Sequence, residues 1–334
     1  MLHSCKRLID SDADTQPLIQ KITPPVEHAE VPTWDYRKQM LFYTDVHEGR
    51  IYSYHYPTKT VHSIYIGGNL NPVIPVKNND NLLVVGQNRS LVVVEWDGTY
   101  SHEDTKQHIN TKVISTVSAD YPNSGFNDGK SDATGRLWVG TMGQQNVATG
   151  EVRPYQGHLY SFTKFTLNNP EVHIPRVHIS NGLAWNKKND TFFYVDSGIT
   201  QIVSYDFEPS TGSISNRKVV FDLAKHPELI GICDGMTIDE NDNLWVALYG
   251  GGSIIQVSPQ TGKVLQRVAL PARDVTSVTW GGPKLDILFV TTSRILLSEQ
   301  ERREQPDAGS VFAVTKLKTK GKAEYFTDII VDDI

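Results

Sequence analysis

Short apolar runs separated by turn-forming residues recur along almost the whole chain, and they come in pairs. In the first pair, residues 41–45 and 50–54 are joined by a glycine-containing segment, which is the pattern of a β-hairpin. The pair returns five more times at intervals of about 50 residues. The runs that open the six pairs begin at Leu41, Leu82, Leu137, Phe192, Leu244 and Ile287.

Six units built almost entirely of strand and turn are typical of a β-propeller. We therefore predict an all-β fold, a six-bladed β-propeller with four-stranded antiparallel blades around a central channel. Residues 17–334 are predicted to form this single domain, since no linker-like break follows residue 25, and the polar residues 1–16 a flexible N-terminal extension. A β-sandwich or a solenoid with coincidental spacing is the alternative. The charged run 299–304 is expected to be a solvated loop, and the glycines at 250–252 a tight hairpin turn.

Composition excludes several classes of function. The 334 residues carry a formal net charge of -6, which argues against a nucleic-acid groove. Cys5 and Cys233 are the only cysteines, so free thiols in a reducing compartment are expected. The sequence shows neither a signal peptide nor an apolar run of membrane-spanning length. We expect a cytoplasmic monomer that does not bind membranes or nucleic acids.

Polar residues stand at a repeated position ahead of the apolar runs. Asn127, Asn181 and Asp234, each close to a glycine, lie roughly ten residues before such a run, and Glu30 lies about eleven residues before Leu41. Each alone would be interpreted as a turn former or a solvated carboxylate. Turn chemistry does not explain a shared position in four units, whereas a propeller brings equivalent positions to one mouth of its channel.

Four oxygen donors at one place suit a hard divalent cation. Ca²⁺ takes oxygen ligands readily, Mg²⁺ and Mn²⁺ accept a similar set, and Zn²⁺ fits a site that keeps water positions open. None of the eleven histidines forms an HxH or HExxH set. His28, next to Glu30 in sequence, is expected to be a surface residue.

Several phrases of the sequence resemble the regucalcin family, also called senescence marker protein, which includes gluconolactonases and luciferin-regenerating enzymes. The resemblance extends from about residue 18 to the end of the chain, and the phrases that carry it are FNDGK at 126–130, GTM at 140–142, ISNGLAW at 179–185, YVDS at 194–197, DGMTID at 234–239 and NLWVA at 243–247. It implies a six-bladed propeller with one divalent metal ion, Ca²⁺ or Zn²⁺, in the central channel.

The resemblance also implies roles for individual residues. The metal ligands of the family fall on Glu30, Asn181 and Asp234. Asn127 matches a family residue that lies close to the metal and contacts substrate or a bridging water. The implied reaction is metal-assisted hydrolysis of a lactone, in which the cation polarises the ester carbonyl and Asp234 is the candidate general base.

Two positions depart from the family pattern. Gly125 stands where many members have an arginine, and Gln145 stands where regucalcin has an acidic residue. Both positions contact substrate in regucalcin. Their loss implies a retained metal centre with altered preference, towards a less polar lactone, ester or nitrile-type substrate. The rival functions are a non-catalytic calcium-binding regulator, a luciferin-regenerating type of enzyme, and a propeller whose face binds a protein partner.

Overall fold

A computed structural model describes residues 16–102, 109 and 111–329, and these form six four-stranded antiparallel sheets. The first strand, β1 (Leu18–Lys21), is followed by β2 (Ala29–Asp35), β3 (Met40–Asp45), β4 (Arg50–His55), β5 (Thr60–Tyr65), β6 (Leu70–Val76), β7 (Asn79–Gln87), β8 (Ser90–Glu95) and β9 (Thr111–Thr116). Next come β10 (Gly125–Ser131), β11 (Leu137–Met142), β12 (Gly157–Phe162), β13 (Glu171–Val177), β14 (Ser180–Trp185), β15 (Thr191–Asp196), β16 (Gln201–Glu208) and β17 (Ser213–Asp222). The last are β18 (Ile232–Ile238), β19 (Leu244–Tyr249), β20 (Ser253–Ser258), β21 (Lys263–Ala269), β22 (Asp274–Gly281), β23 (Ile287–Ser293) and β24 (Phe312–Thr315).

The sheets are the blades of a six-bladed β-propeller, so the predicted fold class is confirmed. Five blades use four consecutive strands each, from β2–β5 to β18–β21. The sixth has the order β1-β24-β23-β22, so the first described strand pairs with the last and closes the ring. Apolar side chains from neighbouring blades pack together in the core clusters between them.

The predicted hairpins are all present, but the strand order assigned to them needs one correction. The apolar runs that begin at Leu41, Leu82 and the equivalent positions are the second strand of each blade. The innermost strand of each blade is the segment that precedes this run and carries the polar residues. Its polar residues and glycines interrupt the apolar alternation by which strands are recognised.

Every innermost strand has a register shift at the same place, opposite the second strand. The shifts lie between Glu30 and Thr33, Leu70 and Val73, Phe126 and Gly129, Ser180 and Leu183, Cys233 and Met236, and Val275 and Ser277. A β-bulge re-aims the side chains that it contains. The residues inside these shifts include Asn71, Asn127, Asp128, Asn181, Asp234 and Thr276, and Glu30 is the last paired residue before the shift in β2.

Two glycines of the repeated phrases are explained by the close approach of neighbouring inner strands. A Cβ atom on Gly182 would lie 2.5 Å from Cβ of Met236 in the next blade, and one on Gly235 would lie 2.0 Å from Oγ of Ser277. Neither residue has a positive φ angle. These glycines are therefore required by blade packing, whereas the sequence alone suggested turn formation.

A C-terminal segment, residues 316–329, lies across the far ends of the inner strands. It forms single β-bridges from Gly321 to Asp239, from Tyr325 to Ser131 and from Thr327 to Val76. Glu324 also accepts a hydrogen bond from the backbone N–H of Trp34. This segment therefore lies at the end of the inner strands opposite to the one that holds Glu30.

Of the remaining local predictions, one is wrong and one is confirmed. Residues 299–304 are a short helix, α1 (Glu299–Glu304), and not a loop, because Ser298 and Glu301 form a capping box. The glycines at 250–252 form the expected turn between β19 and β20. Cys233 is a buried free cysteine, while Cys5 and the predicted extension 1–16 lie outside the described residues except for residue 16. In the described part of the chain, no helix is long and apolar enough to cross a membrane.

Ring closure by β1 makes a testable prediction about stability. Ile19 packs against the apolar core of the sixth blade, whereas the neighbouring Gln20 is exposed. We expect Ile19→Asp to lower the free energy of unfolding by about 2 kcal/mol and Gln20→Asp to change it by less than about 0.5 kcal/mol. Chemical denaturation of both variants measures the difference. Equal effects would show that pairing of β1 contributes no core packing.

Candidate active site

Glu30 lies directly before the bulge of β2, where the backbone is strained. Val31 has a φ of 38°, which is rare for a β-branched residue because its side chain crowds the backbone there. Its N–H donates to Oε2 of Glu30 over 2.6 Å, so the carboxylate is fixed by the residue beside it. Backbone strain of this kind persists where the surrounding structure holds it, and it clusters at functional sites.

Two aspartates hold the segments that lead into the site. The carboxylate of Asp45, at the end of β3, accepts hydrogen bonds from the backbone N–H groups of Glu27 and His28, each over 3.1 Å. Asp196, at the end of β15, accepts from the backbone of His178 and Ile179 in the same way, over 3.1 and 3.0 Å. The backbone is therefore fixed just ahead of Glu30 in β2 and of Asn181 in β14.

The four residues selected by their repeated position line one cavity. Glu30, Asn181 and Asp234 are buried, with 4, 3 and 7% of their surfaces exposed, and Asn127 is partly buried beside them. The cavity has an empty volume of about 620 Å³, including its open mouth. Its other polar lining residues are His28, His47, Gln145, Ser197 and Tyr249, and its apolar ones are Val46, Met142, Val152, Ile179, Ile232 and Leu296.

The carboxyl groups in the channel raise one another's pKa. Burial, followed by the nearby charges of Asp234 and Asp128, holds the pKa of Glu30 well above its usual range. Burial and the charge of Asp128 do the same to the pKa of Asp234, although hydrogen bonds from Asn181 and the Gly235 backbone act in the opposite direction. Burial raises the pKa of Asp128 to about 6. A cation placed among these groups would reverse the shifts.

The donor set fits a hard divalent cation. Oδ1 of Asn181 and Oδ1 of Asp234 are buried and lack hydrogen-bond partners among the described residues, although buried polar atoms are normally paired. The Nδ2 atom of Asn181 donates to Oγ of Ser197 over 2.9 Å, which leaves its carbonyl oxygen for a ligand. Nowhere in the described residues are three His, Cys, Asp or Glu side chains grouped to hold a metal, so a site here depends on the amide as well as on two carboxylates.

The two positions that depart from the family pattern lie at the rim. Gln145 lines the cavity and also an adjoining groove, and Gly125 lines that groove only. Asn127, two residues after Gly125, donates from Nδ2 to the carbonyl of Ser180 over 2.9 Å. Of the predicted site residues, Gly125 is therefore the one that the structure does not place in the cavity itself.

Several residues at or next to the site were not predicted from the sequence. Asn71 and Thr276 occupy the bulge in their blades, and Asp128 shares the bulge of Asn127, although none of these three lines the cavity. Asn71 and Thr276 also precede an apolar run by about eleven residues, so the spacing could have found them. His28 was expected at the surface and instead lines the cavity, where burial and the nearby His47 lower its pKa to about 3.

A six-bladed propeller whose acidic and amide side chains converge on its axis defines a class of proteins. Similarity in sequence and structure to known proteins identifies the family within that class. The family model described as "SMP-30/Gluconolactonase/LRE-like region" matches residues 28–294. The chain belongs to this family. It is 33% identical to regucalcin of Xenopus laevis over 294 residues, which cover 88% of this chain and 92% of that protein.

Solved structures show the same relationship. A luciferin-regenerating enzyme superposes with a TM-score of 0.84 at 32% sequence identity, covering 93% of this chain and 99% of that one. A regucalcin from Agrobacterium tumefaciens, described as a calcium-binding protein, superposes with a TM-score of 0.79 at 19% identity, covering 92% and 96% of the two chains. The second likeness shows a shared fold.

The crowded carboxyl groups predict an unusual effect on stability. A carboxyl whose pKa is raised in the folded state destabilises the fold as the pH rises through that pKa. In metal-free protein at neutral pH, we expect Glu30→Gln to raise the free energy of unfolding by about 1 kcal/mol, while divalent metal binding is lost. Thermal unfolding with chelator measures the first effect and calorimetric titration with Ca²⁺ the second.

The matched control is Glu48→Gln, which removes an exposed carboxylate from the turn after β3. It should change neither stability nor metal binding. A destabilised Glu30→Gln protein would contradict the repulsion inferred for the channel.

Proposed function

We propose that the protein is a divalent-metal-dependent hydrolase of the lactonase class, with its active site at the open end of the channel. The observation that carries the proposal is the pair of buried carboxylates, Glu30 and Asp234, which face one cavity together with an unpaired amide oxygen of Asn181. These three residues would hold the cation. Membership of a family that includes gluconolactonases supports the reaction class.

A bound divalent cation would supply Lewis-acid polarisation of the ester carbonyl. Asp234 has two carboxylate oxygens, so one would contact the cation while the other accepts a proton from the attacking water. The water oxygen bonds to the carbonyl carbon, the ring C–O bond breaks, and the proton passes to the released alkoxide. Asn127, whose Nδ2 is held by the carbonyl of Ser180, would present its side-chain oxygen to the substrate or to the water.

The walls of the cavity favour a substrate with few hydroxyl groups. None of the described residues that line it is lysine or arginine, and one side is built from Met142, Val152, Ile232 and Leu296. An apolar wall neither pairs the hydroxyls of a sugar lactone nor compensates their desolvation. We therefore propose a less polar lactone or ester as substrate, bound by a monomer without nucleic-acid or membrane partners.

A second candidate function is non-catalytic calcium binding. It is supported by the regucalcin from Agrobacterium tumefaciens, which is described as a calcium-binding protein. The two functions differ in what the cavity must do. A binding protein needs only the cation ligands, whereas a hydrolase also needs the space in front of them and Asn127 beside them.

Removing Asp234 tests the proposed reaction. Chelated protein is reconstituted with Ca²⁺, Zn²⁺, Mn²⁺ or Mg²⁺ and assayed on D-glucono-1,5-lactone, γ-butyrolactone derivatives and simple esters. We expect metal-dependent turnover that falls at least about 1000-fold in Asp234→Ala, because that variant lacks both a ligand and the proton acceptor. Glu228→Gln, which alters an exposed carboxylate on the loop before β18, serves as the control. Metal binding without turnover on any compound would favour the calcium-binding function.

The proposed substrate preference is tested by restoring the arginine and the acidic residue that the family pattern has at positions 125 and 145. Among the described residues, a Cβ atom on Gly125 would meet one atom within 4 Å, the carbonyl oxygen of Asn88 at 3.7 Å, so a side chain can start there without a clash at Cβ. We expect Gly125→Arg combined with Gln145→Glu to raise kcat/KM for gluconolactone relative to an unsubstituted lactone by about tenfold, from one added hydrogen-bonded contact. An unchanged ratio would mean that preference is set elsewhere in the cavity.

A further inference from the structure

His28 is held firmly at the cavity by two blades. Its backbone N–H donates to Oδ1 of Asp45, and it forms a β-bridge with Ser293 at the end of β23. The preceding residue, Glu27, pairs with Arg302 at 2.7 Å and with Arg294 at 3.4 Å. A side chain in such a setting is positioned with little freedom, which is what a selective contact requires.

The tautomer of His28 follows from where the hydroxyl hydrogen of Ser293 lies. Oγ of Ser293 is 3.3 Å from the carbonyl oxygen of Glu27, which can only accept, and 2.9 Å from Nδ1 of His28. With the hydroxyl hydrogen on the carbonyl of Glu27, Nδ1–H is the donor in the second bond. In a neutral imidazole the other nitrogen, Nε2, is then an acceptor. It has no hydrogen-bond partner in the described part of the chain.

The position of His28 relative to Glu30 suits contact with a substituent next to the reacting carbonyl. The two residues are separated by one position on an extended segment, so their Cα atoms lie about 6.6 Å apart on the same side of it. Both line the cavity. A group on the carbon next to an ester carbonyl, with that carbonyl at Glu30 and Asp234, would come within reach of the imidazole.

We propose that His28 is a specificity-determining residue that accepts a hydrogen bond from a hydroxyl or amide N–H on the carbon adjacent to the ester carbonyl. The preferred substrate is then a lactone that carries one such donor and is otherwise apolar, to match the wall formed by Met142, Ile232 and Leu296. This inference rests on the lactone hydrolase proposed above. It adds a side chain that recognises a hydrogen-bond donor on the substrate and that is not one of the candidate cation ligands.

The test compares α-hydroxy-γ-butyrolactone with α-methoxy-γ-butyrolactone, which differ in the hydrogen that Nε2 would accept. With metal-loaded protein, we expect a kcat/KM ratio of at least about tenfold in favour of the hydroxy compound, as for one buried hydrogen bond. The ratio should fall to about one in His28→Leu and be partly restored in His28→Gln, whose amide oxygen also accepts. His55→Gln, a change on the outer part of the first blade, should leave it unaltered.

Two further measurements separate this inference from the proposed function. The dissociation constants of both lactones are measured by NMR titration, so donor selection is tested even if no lactone is hydrolysed and the hydrolase proposal fails. The ¹⁵N shifts of His28 report its tautomer and should show protonated Nδ1. An unchanged ratio in His28→Leu, by kinetics or by binding, or protonation on Nε2 alone, would overturn the inference.

Discussion

Carboxylates that face one another in a buried channel are the constraint on which the rest of this site depends. The charges of Asp234 and Asp128 raise the pKa of Glu30, the charge of Asp128 raises the pKa of Asp234, and burial strengthens this repulsion. Such a group is unfavourable unless protons or a cation compensate it. The surrounding fold holds these carboxyl groups in place. Hydrogen bonds to Asp45 fix the start of β2, and the strained backbone at Val31 is maintained there. The fold therefore keeps mutually repelling groups together at a place where a bound cation would offset their charge.

The propeller makes this possible through one repeated distortion. Its six innermost strands meet around the axis, and each carries a β-bulge at the equivalent position. A regular strand would leave these side chains in the pleat, whereas a bulge changes their direction. The blade packing is equally repetitive, since Gly182 and Gly235 allow adjacent inner strands to approach closely. Site geometry and blade packing therefore arise from the same few residues.

This repetition explains how much the sequence could predict. The fold class and the grouping of Glu30, Asn181 and Asp234 follow from a spacing that every blade preserves, because the distance from bulge to second strand is fixed by the blade. The surroundings of His28 do not follow from any local spacing. Its partner Ser293 lies 265 residues away in the sequence, and the two meet only because β1 and β24 close the ring. Contacts made by ring closure have no periodic signature.

The residues of the inner ring differ in the same way from the rim residues to which substrate preference is assigned. The inner ring is built from bulged strands that cannot shift without disturbing two blades, so the candidate cation ligands are tied to the fold itself. The rim is built from connections such as residues 143–156 between β11 and β12, which contribute Gln145 and Val152 and can change without altering any blade. Gly125 borders the rim from the first position of β10, where an added Cβ atom would meet the carbonyl oxygen of Asn88 at 3.7 Å. Differences in the lining of the cavity are therefore expected at the rim, while the inner ring keeps its buried polar groups.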